Sequence, residues 1–398
     1  MLTQFSVRNY KSIQKVITLD MQAIDVPEQE ESVIKGKDGY EYLPVAAIFG
    51  PNGAGKSNVL ESLRLLVATV CNPVWEARNE KISDKKIVAF PFLFAEETME
   101  MPTEFELFFQ GSTAEYRYRF ALKGDRILYE ALSRKVFGTE EIEELYGRRK
   151  NQIWKNGGSE KVDLTIEIPD QLPFLSYLAI TGKDTGILRE ATDCFLKQIQ
   201  IAENTESLKD LKNFFNEETE GKSLMVKHLK NMDTQIVDFR IEEKPGNSVQ
   251  VRTVHKIGEK FFELNLSDES AGIRKLFWLL PKVIHCLRSG GTLIVDQPDI
   301  GLHPLWIRYL VCLFRDPKVN QKHAQMIFTA HDVTLLHPLN LRRDEIWFVA
   351  KGVNEDTSMY ALAEFKQEKG NGSSGENTRI KQYLVGRYGA IPSLKNCF

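Results

Sequence analysis

The sequence lacks the features of a disulfide-stapled, zinc-bound or membrane-embedded chain. Its 398 residues hold five cysteines, Cys71, Cys194, Cys286, Cys312 and Cys397, odd in number, dispersed and without a C-x-x-C pair. That pattern offers neither a disulfide framework nor a zinc site, and a reducing compartment suits it. No run of eighteen apolar residues occurs, so no membrane-spanning helix is expected. The opening Met1-Leu2-Thr3-Gln4-Phe5-Ser6 has no basic stretch followed by an apolar one, so no secretory leader is expected and the cytoplasm is the expected location. Excess charge of one sign is missing too. A formal net charge of −3 gives no global argument for a nucleic-acid partner, although a local basic groove can hide inside a balanced total. No internal repeat is visible.

What is present is ordinary for a folded chain. Hydrophobic residues make up 42% and charged residues 27%, enough for two or three lobes around a sizeable core. One stretch carries chemistry. Ala47-Ile48-Phe49 reads as the end of an apolar strand, and Gly50-Pro51-Asn52-Gly53-Ala54-Gly55-Lys56-Ser57 fits G-x-x-x-x-G-K-[ST] at every fixed position; Asn58-Val59-Leu60 then opens a helix. The glycines let consecutive backbone N–H groups turn inward around a di- or triphosphate, while the helix aims the positive end of its dipole at the same anion. Lys56 is expected to reach the β- and γ-phosphates and the Ser57 hydroxyl to ligate Mg²⁺, which makes ATP and Mg²⁺ the expected ligands.

Around this anchor, residues 2–10 and Val16–Leu19 alternate like a hairpin of two edge strands. Residues 22–43 read as an acidic, solvated loop before the strand Val45–Phe49. Apolar residues at helical spacing run from Val59 to Val70, and Asn72-Pro73 is expected to stop that helix. Phe105–Phe109, Glu115–Leu122 and Arg126–Leu132 predict an antiparallel meander whose aromatics are sheet core. Residues 172–232 read as a polar helical insertion, with Ile187–Ile199 and Ser207–Phe215 as its clearest periodic pieces. Strand patterns return at Ile236–Ile241, Val249–His255 and Lys260–Leu266, followed by a helix at Ile273–Leu287. The short apolar runs Thr292–Val295, Met326–Ala330 and Glu345–Val349 predict a parallel sheet buried on both faces. Residues 366–377 read as a polar linker, and Thr378–Leu384 as a short helix. The expected division is 1–165, an amino-terminal lobe with the phosphate loop and the meander; 166–235, the helical insertion; 236–365, a carboxyl-terminal lobe; and 366–398, linker and tail. The expected class is an α/β phosphate-loop NTPase with a mixed central sheet flanked by helices.

A phosphate loop needs a carboxylate to complete the Mg²⁺ shell, and Leu293-Ile294-Val295-Asp296 supplies one at a strand end. The next position, where hydrolytic ATPases of this design usually hold a glutamate base, is Gln297. An amide cannot accept a proton at pH 7. His331, after the strand Phe328-Thr329-Ala330, is placed to contact a γ-phosphate. Ser270 and Gly272 form a Ser-x-Gly at a helix amino terminus, which is an anion site, although a plain helix cap also explains the serine.

The order phosphate loop, long insertion, Ser-x-Gly helix, Asp strand and strand-end histidine resembles the ABC-type ATPase heads of the SMC, RecF and OLD proteins. Phe5-Ser6-Val7-Arg8-Asn9-Tyr10-Lys11-Ser12-Ile13 is similar to the first strand of those heads. The resemblance implies an ATP-sandwich homodimer or higher oligomer: Ser270 and Gly272 act on the ATP of the other copy, Asp296 holds Mg²⁺, position 297 is the catalytic base and His331 the switch histidine. No heptad arm of the SMC type interrupts the chain. The whole chain, with its ending Gly386-Arg387-Tyr388-Gly389-Ala390-Ile391-Pro392, resembles the compact anti-phage ATPases of the RloA and AriA type. That resemblance implies a partner effector, often a Toprim-like nuclease; the lack of a long apolar run predicts no membrane partner. Two explanations of Gln297 compete: an ATPase of very low turnover, or a Glu-to-Gln exchange that traps ATP, which the intact Asp296, Pro298 and His331 favour. A rival reading is a RecF-like ATPase that clamps duplex DNA, with Arg117, Arg119, Arg148, Arg149 and Lys150 as the candidate cations. A nucleotide-binding scaffold without turnover is the third, if Gln297 is native.

Overall fold

The computed structural model describes residues 1–78, 88–150, 152–156, 161–164, 167–202, 208–244, 248–366 and 378–392. The opening alternation forms the expected hairpin, β1 (Leu2–Arg8) against β2 (Ile17–Asp20), with Phe5, Val7 and Leu19 buried. Residues 22–43, expected as a solvated loop, fold back on the body. They form a small hairpin, β3 (Ile34–Lys35) with β4 (Glu41–Tyr42), and Glu28 pairs with Arg343 and Arg379. The acid meets cations more than three hundred positions away, which charge patterning along the chain cannot show. Next come β5 (Val45–Phe49), buried at every position, and α1 (Lys56–Ala77). The helix continues through Pro73, where a stop was expected. Proline removes one backbone donor from a helix interior. Here the distal turn is held by the burial of Cys71 and Val74 and by the Ser176 hydroxyl, which donates to the Val70 carbonyl at 2.7 Å.

After the short α2 (Glu96–Met99), strands β6 (Thr103–Gln110), β7 (Ala114–Lys123), β8 (Arg126–Val136), β9 (Ile142–Arg149), β10 (Gln152–Asn156) and β11 (Lys161–Leu164) form the expected meander and extend it. The sheet order is β11-β10-β9-β8-β7-β6-β1-β2, antiparallel throughout. Only β2 of the opening hairpin is therefore an edge strand; β1 is internal because its second side pairs with β6. Phe105, Leu107, Phe109, Tyr116, Tyr118 and Phe120 are all buried, so the strand aromatics are core as expected.

The segment expected as a helical insertion is mixed. It contains α3 (Phe174–Ile180), α4 (Ile187–Asp193), a π-helical turn at Cys194–Gln198, then β12 (Ile199–Ala202), α5 (Leu208–Glu217) and α6 (Gly221–Asn231). The apolar run that reads as one helix over 187–199 splits because its end pairs with the central sheet. Three antiparallel strands follow, β13 (Ile236–Lys244), β14 (Ser248–Ile257) and β15 (Lys260–Asn265), leading to α7 (Ala271–Ser289). The rest is β16 (Thr292–Val295), α8 (Pro304–Arg315), β17 (Gln325–Thr329), β18 (Ile346–Lys351), β19 (Thr357–Ala361) and α9 (Thr378–Leu384). Most of the expected linker, 367–377, lies outside the described residues.

The central sheet has the order β12-β16-β17-β5-β18-β19, parallel except for β19. Period-two alternation sends its apolar side chains to both faces. Ala46, Ile48, Ile294 and Ile327 join a core shared with α1 and the eight-stranded sheet; Val45, Ala47, Phe49, Leu293, Val295, Met326 and Phe328 join a second core under α7 and α8. Helix α1 is thus packed between two sheets, which fixes the direction of its amino terminus. Among the described residues no helix is long and apolar enough to cross a membrane.

Candidate nucleotide site

The phosphate loop leaves β5 between β17 and β18, at the carboxyl ends of parallel strands, where open α/β sheets form their ligand crevices. Lys56 is buried and its Nζ donates to the carbonyls of Gly50 at 2.7 Å and Pro51 at 3.1 Å, so the lysine closes the loop on itself. Burial pushes its ammonium below the ordinary lysine value, and the carboxylates of Asp299 and Asp296 pull the other way. Asn52 and Gly53 are exposed at the loop's tip, while Ala54 is buried. Gly55 has φ 104°, and a Cβ there would collide with the Thr357 hydroxyl. That hydroxyl donates to the Ala54 carbonyl at 2.9 Å and lies 2.7 Å from Ser12 Oγ, which in turn accepts from Asn58 Nδ2 at 2.7 Å. The β1–β2 turn and β19 therefore buttress the phosphate loop from behind.

β16 and β17 supply the acidic side. Asp296 Oδ1 accepts from Thr329 Oγ1 at 2.6 Å and from Ser57 Oγ at 3.2 Å. Gln297 is tied to the same two hydroxyls: its backbone N–H donates to Thr329 Oγ1 at 2.8 Å and its Nε2 to Ser57 Oγ at 3.4 Å. The residue sits at φ 49°, a left-handed conformation that a non-glycine side chain adopts at a cost. Asp299 Oδ2 accepts from the backbone N–H groups of His331 and Asp332 at 2.5 and 2.9 Å, and its Oδ1 is buried with no hydrogen-bond partner among the described residues. His331 itself is exposed. The adjacent Ser57 hydroxyl and Asp296 carboxylate, with the unsatisfied Asp299 oxygen close by in the chain, are hard oxygen donors of the kind Mg²⁺ takes alongside nucleotide phosphates. Among the described residues no group of three or more His, Cys, Asp and Glu gathers to hold a metal by itself.

Ser270 is exposed and caps α7, its Oγ accepting from the Ile273 N–H at 3.2 Å. Gly272 packs against the loop after Gln297: a Cβ at 272 would lie 2.7 Å from the Gly301 carbonyl oxygen. One turn on, Lys275 Nζ donates to the carbonyls of Gln297 at 2.7 Å and Ile300 at 2.8 Å. Burial lowers its pKa too, opposed by the same Asp299 and Asp296 that act on Lys56. The structure thus brings Lys56, Ser57, Asp296 and Gln297 into one constellation. No hydrogen bond joins Ser270 to residues 50–58 among the described residues.

The family described as "AAA domain, putative AbiEii toxin, Type IV TA system" matches residues 45–337, well over half of the chain and all of this constellation. The chain belongs to that family. It is an ATPase of the AAA type. A comparison with curated proteins found no match. Among solved structures, the SMC head domain from Thermotoga maritima is 15% identical, with 90% of this chain and 98% of that chain covered and a TM-score of 0.43. An SMC head bound to the C-winged helix domain of ScpA is 12% identical, with 90% and 97% covered and a TM-score of 0.45. An SMC head with an extended coiled coil, bound to the C-terminal domain of ScpA derived from Pyrococcus furiosus, is 13% identical, with 91% and 97% covered and a TM-score of 0.43.

Sequence reasoning on this AAA-family chain missed Ser12, Thr357, Thr329, Asp299 and Lys275. Asp299 sits in the Pro298-Asp299 pair beside Gln297 and was the nearest to visible; the others carry no local signal. The basic candidates of the DNA-clamp reading are largely engaged inside the protein. Arg148 is fully buried and donates to the carbonyls of Lys150, Ile168, Pro169 and Leu172; Arg117 pairs with Glu106, and Arg119 with Glu144. Arg149 and Lys150 are exposed and help line a cavity of about 690 Å³ against the eight-stranded sheet, together with Arg8, Arg119 and Tyr129. No residue of the phosphate loop lines that cavity.

Proposed function

We propose that this ATPase binds ATP and Mg²⁺ between two copies of itself and works as a switch that controls a partner effector, a Toprim-like nuclease, in anti-phage defence. The observation that carries the nucleotide chemistry is the bonding of Ser57 to both Asp296 and Gln297 at the mouth of the phosphate loop. On ATP binding, Lys56 exchanges the Gly50 and Pro51 carbonyls for phosphate oxygens, and the loop's N–H groups turn to the same anion. Ser57 and Asp296 would hold Mg²⁺, which neutralises phosphate charge as it develops. His331 and, from the second copy, Ser270 and Gly272 face the γ-phosphate. The family's description as a toxin of a type IV system supports the defence setting, and the resemblance to the RloA and AriA type supports the effector.

Gln297 stands where a base is needed and has none to offer, so the nucleotide is bound and held. Restoring a carboxylate by Gln297→Glu is expected to raise hydrolysis by about two orders of magnitude or more, the usual worth of a positioned base. Lys56→Ala in the same background is expected to abolish it. Steady-state phosphate release that does not change on Gln297→Glu would overturn the assignment of position 297.

A further inference from the structure

Immediately before the exposed Ser270 stands Glu269, 7% exposed. Its Oε1 accepts the Thr253 hydroxyl and lies 2.7 Å from His255 Nε2, both residues of β14. Thr253 is fully buried. A serine cap does not require this arrangement, because Ser270 caps α7 through its own Oγ. A buried carboxylate is costly unless its partners are in place, so its position beside the turn is well determined. From the other side, Arg274 Nη1 donates to the carbonyls of Ser267 and Glu269, each at 2.9 Å. The peptide that joins residues 269 and 270 is thereby held from β14 through one side chain and from α7 through another.

We infer that Glu269 is a positioning residue for Ser270: anchored on β14 by Thr253 and His255, it sets the direction in which the serine hydroxyl leaves the turn toward a phosphate bound by a second copy. The inference rests on the two-copy reading given above. It also gives the three-stranded sheet a role, since a displacement of β14 reaches the Ser270–Gly272 turn through the Glu269 side chain as well as through β15.

The test is a double-mutant cycle on ATP-driven self-association, with wild type, Glu269→Ala, Ser270→Ala and the double variant compared by light scattering at matched ATP-Mg²⁺. Each single variant is expected to weaken association at least tenfold, and the double variant no more than the weaker of the two, because Glu269 acts through Ser270. Binding of a fluorescent ATP analogue to the dilute Glu269→Ala monomer is expected to stay within twofold of wild type. Glu269→Gln, which keeps an acceptor oxygen for Thr253, is expected to regain most of the association. Association unchanged by Ser270→Ala overturns the two-copy reading. Association weakened by Ser270→Ala yet unchanged by Glu269→Ala, or losses that multiply in the double variant, overturns the inference alone. Should Glu269→Ala fail to fold, the isosteric Thr253→Val replaces it in the cycle and is judged by the same outcomes.

Discussion

Lys275 shows how much of a site can hang on one ammonium. Its two hydrogen bonds end on the carbonyls of Gln297 and Ile300, so the first turn of α7 fixes the loop that holds position 297, the proposed place of the base. A reacting group misplaced by about 1 Å can lose about 10²-fold in rate. In the Gln297→Glu background, Lys275→Met is expected to lower kcat by tenfold or more while ATP affinity stays within twofold, and Lys275→Arg to recover part of the loss. Separate determination of kcat and KM checks this; a raised KM with kcat unchanged would show that Lys275 serves nucleotide binding instead. The residue-scale lesson concerns what is local. Gly50 to Ser57 is legible because its chemistry is written in eight consecutive residues, and Asp296 because it directly follows the end of an apolar strand. Thr357, Thr329 and Lys275 are illegible because each acts on a partner brought near only by the finished sheet.

At the scale of elements, the same division appears. Periodicity announces β5, β16 and β17 because both faces of each are buried, and it announces the meander because its inward aromatics alternate. It fails where tertiary contact overrides local preference: α1 runs through Pro73, β12 leaves an apparent helix to join the sheet, and β1 gains a second partner. Helix α3 shows one such contact in detail. Glu130 on β8 is fully buried and accepts from the Tyr118 and Tyr146 hydroxyls and from the N–H groups of Phe174 and Leu175, which begin α3. Burial raises its pKa and these four donors pull it back. Since all four partners donate, Glu130→Gln sets an amide NH₂ against donors and leaves buried groups unsatisfied. The expected loss is about 2–3 kcal/mol of stability, read as a lower midpoint of chemical denaturation with an unchanged slope. Because Ser176 of α3 also holds α1 at Val70, the variant is expected to loosen the distal end of the phosphate-loop helix as well.

At the scale of the whole molecule, the proposed reading divides the nucleotide site into two half-sites, and among the described residues no hydrogen bond joins Ser270 to residues 50–58. The phosphate loop, Asp296 and Gln297 lie together at the carboxyl ends of the central strands, whereas Ser270 is exposed at the start of α7, where its hydroxyl accepts the Ile273 N–H. In the proposed pair, a second copy related by a two-fold axis would bring each Ser270 to the other's phosphate loop and enclose both nucleotides at once. Association is therefore linked to nucleotide: ligand that binds the paired state better than the single one shifts the equilibrium by that difference. The chain, 45.6 kDa alone, is expected to double its mass in ATP-Mg²⁺ and to stay doubled, because Gln297 offers no base to end the state. Lys56→Ala is expected to remain at the single-chain mass, and a chelator added before ATP to leave the wild type there too. Gln297→Glu is expected to double only transiently, the mass falling back as ATP is consumed. Light scattering coupled to size exclusion reads all four. A mass that is the same with and without ATP-Mg²⁺ in wild type and Lys56→Ala alike would mean that the Ser270–Gly272 turn serves some other purpose in this chain.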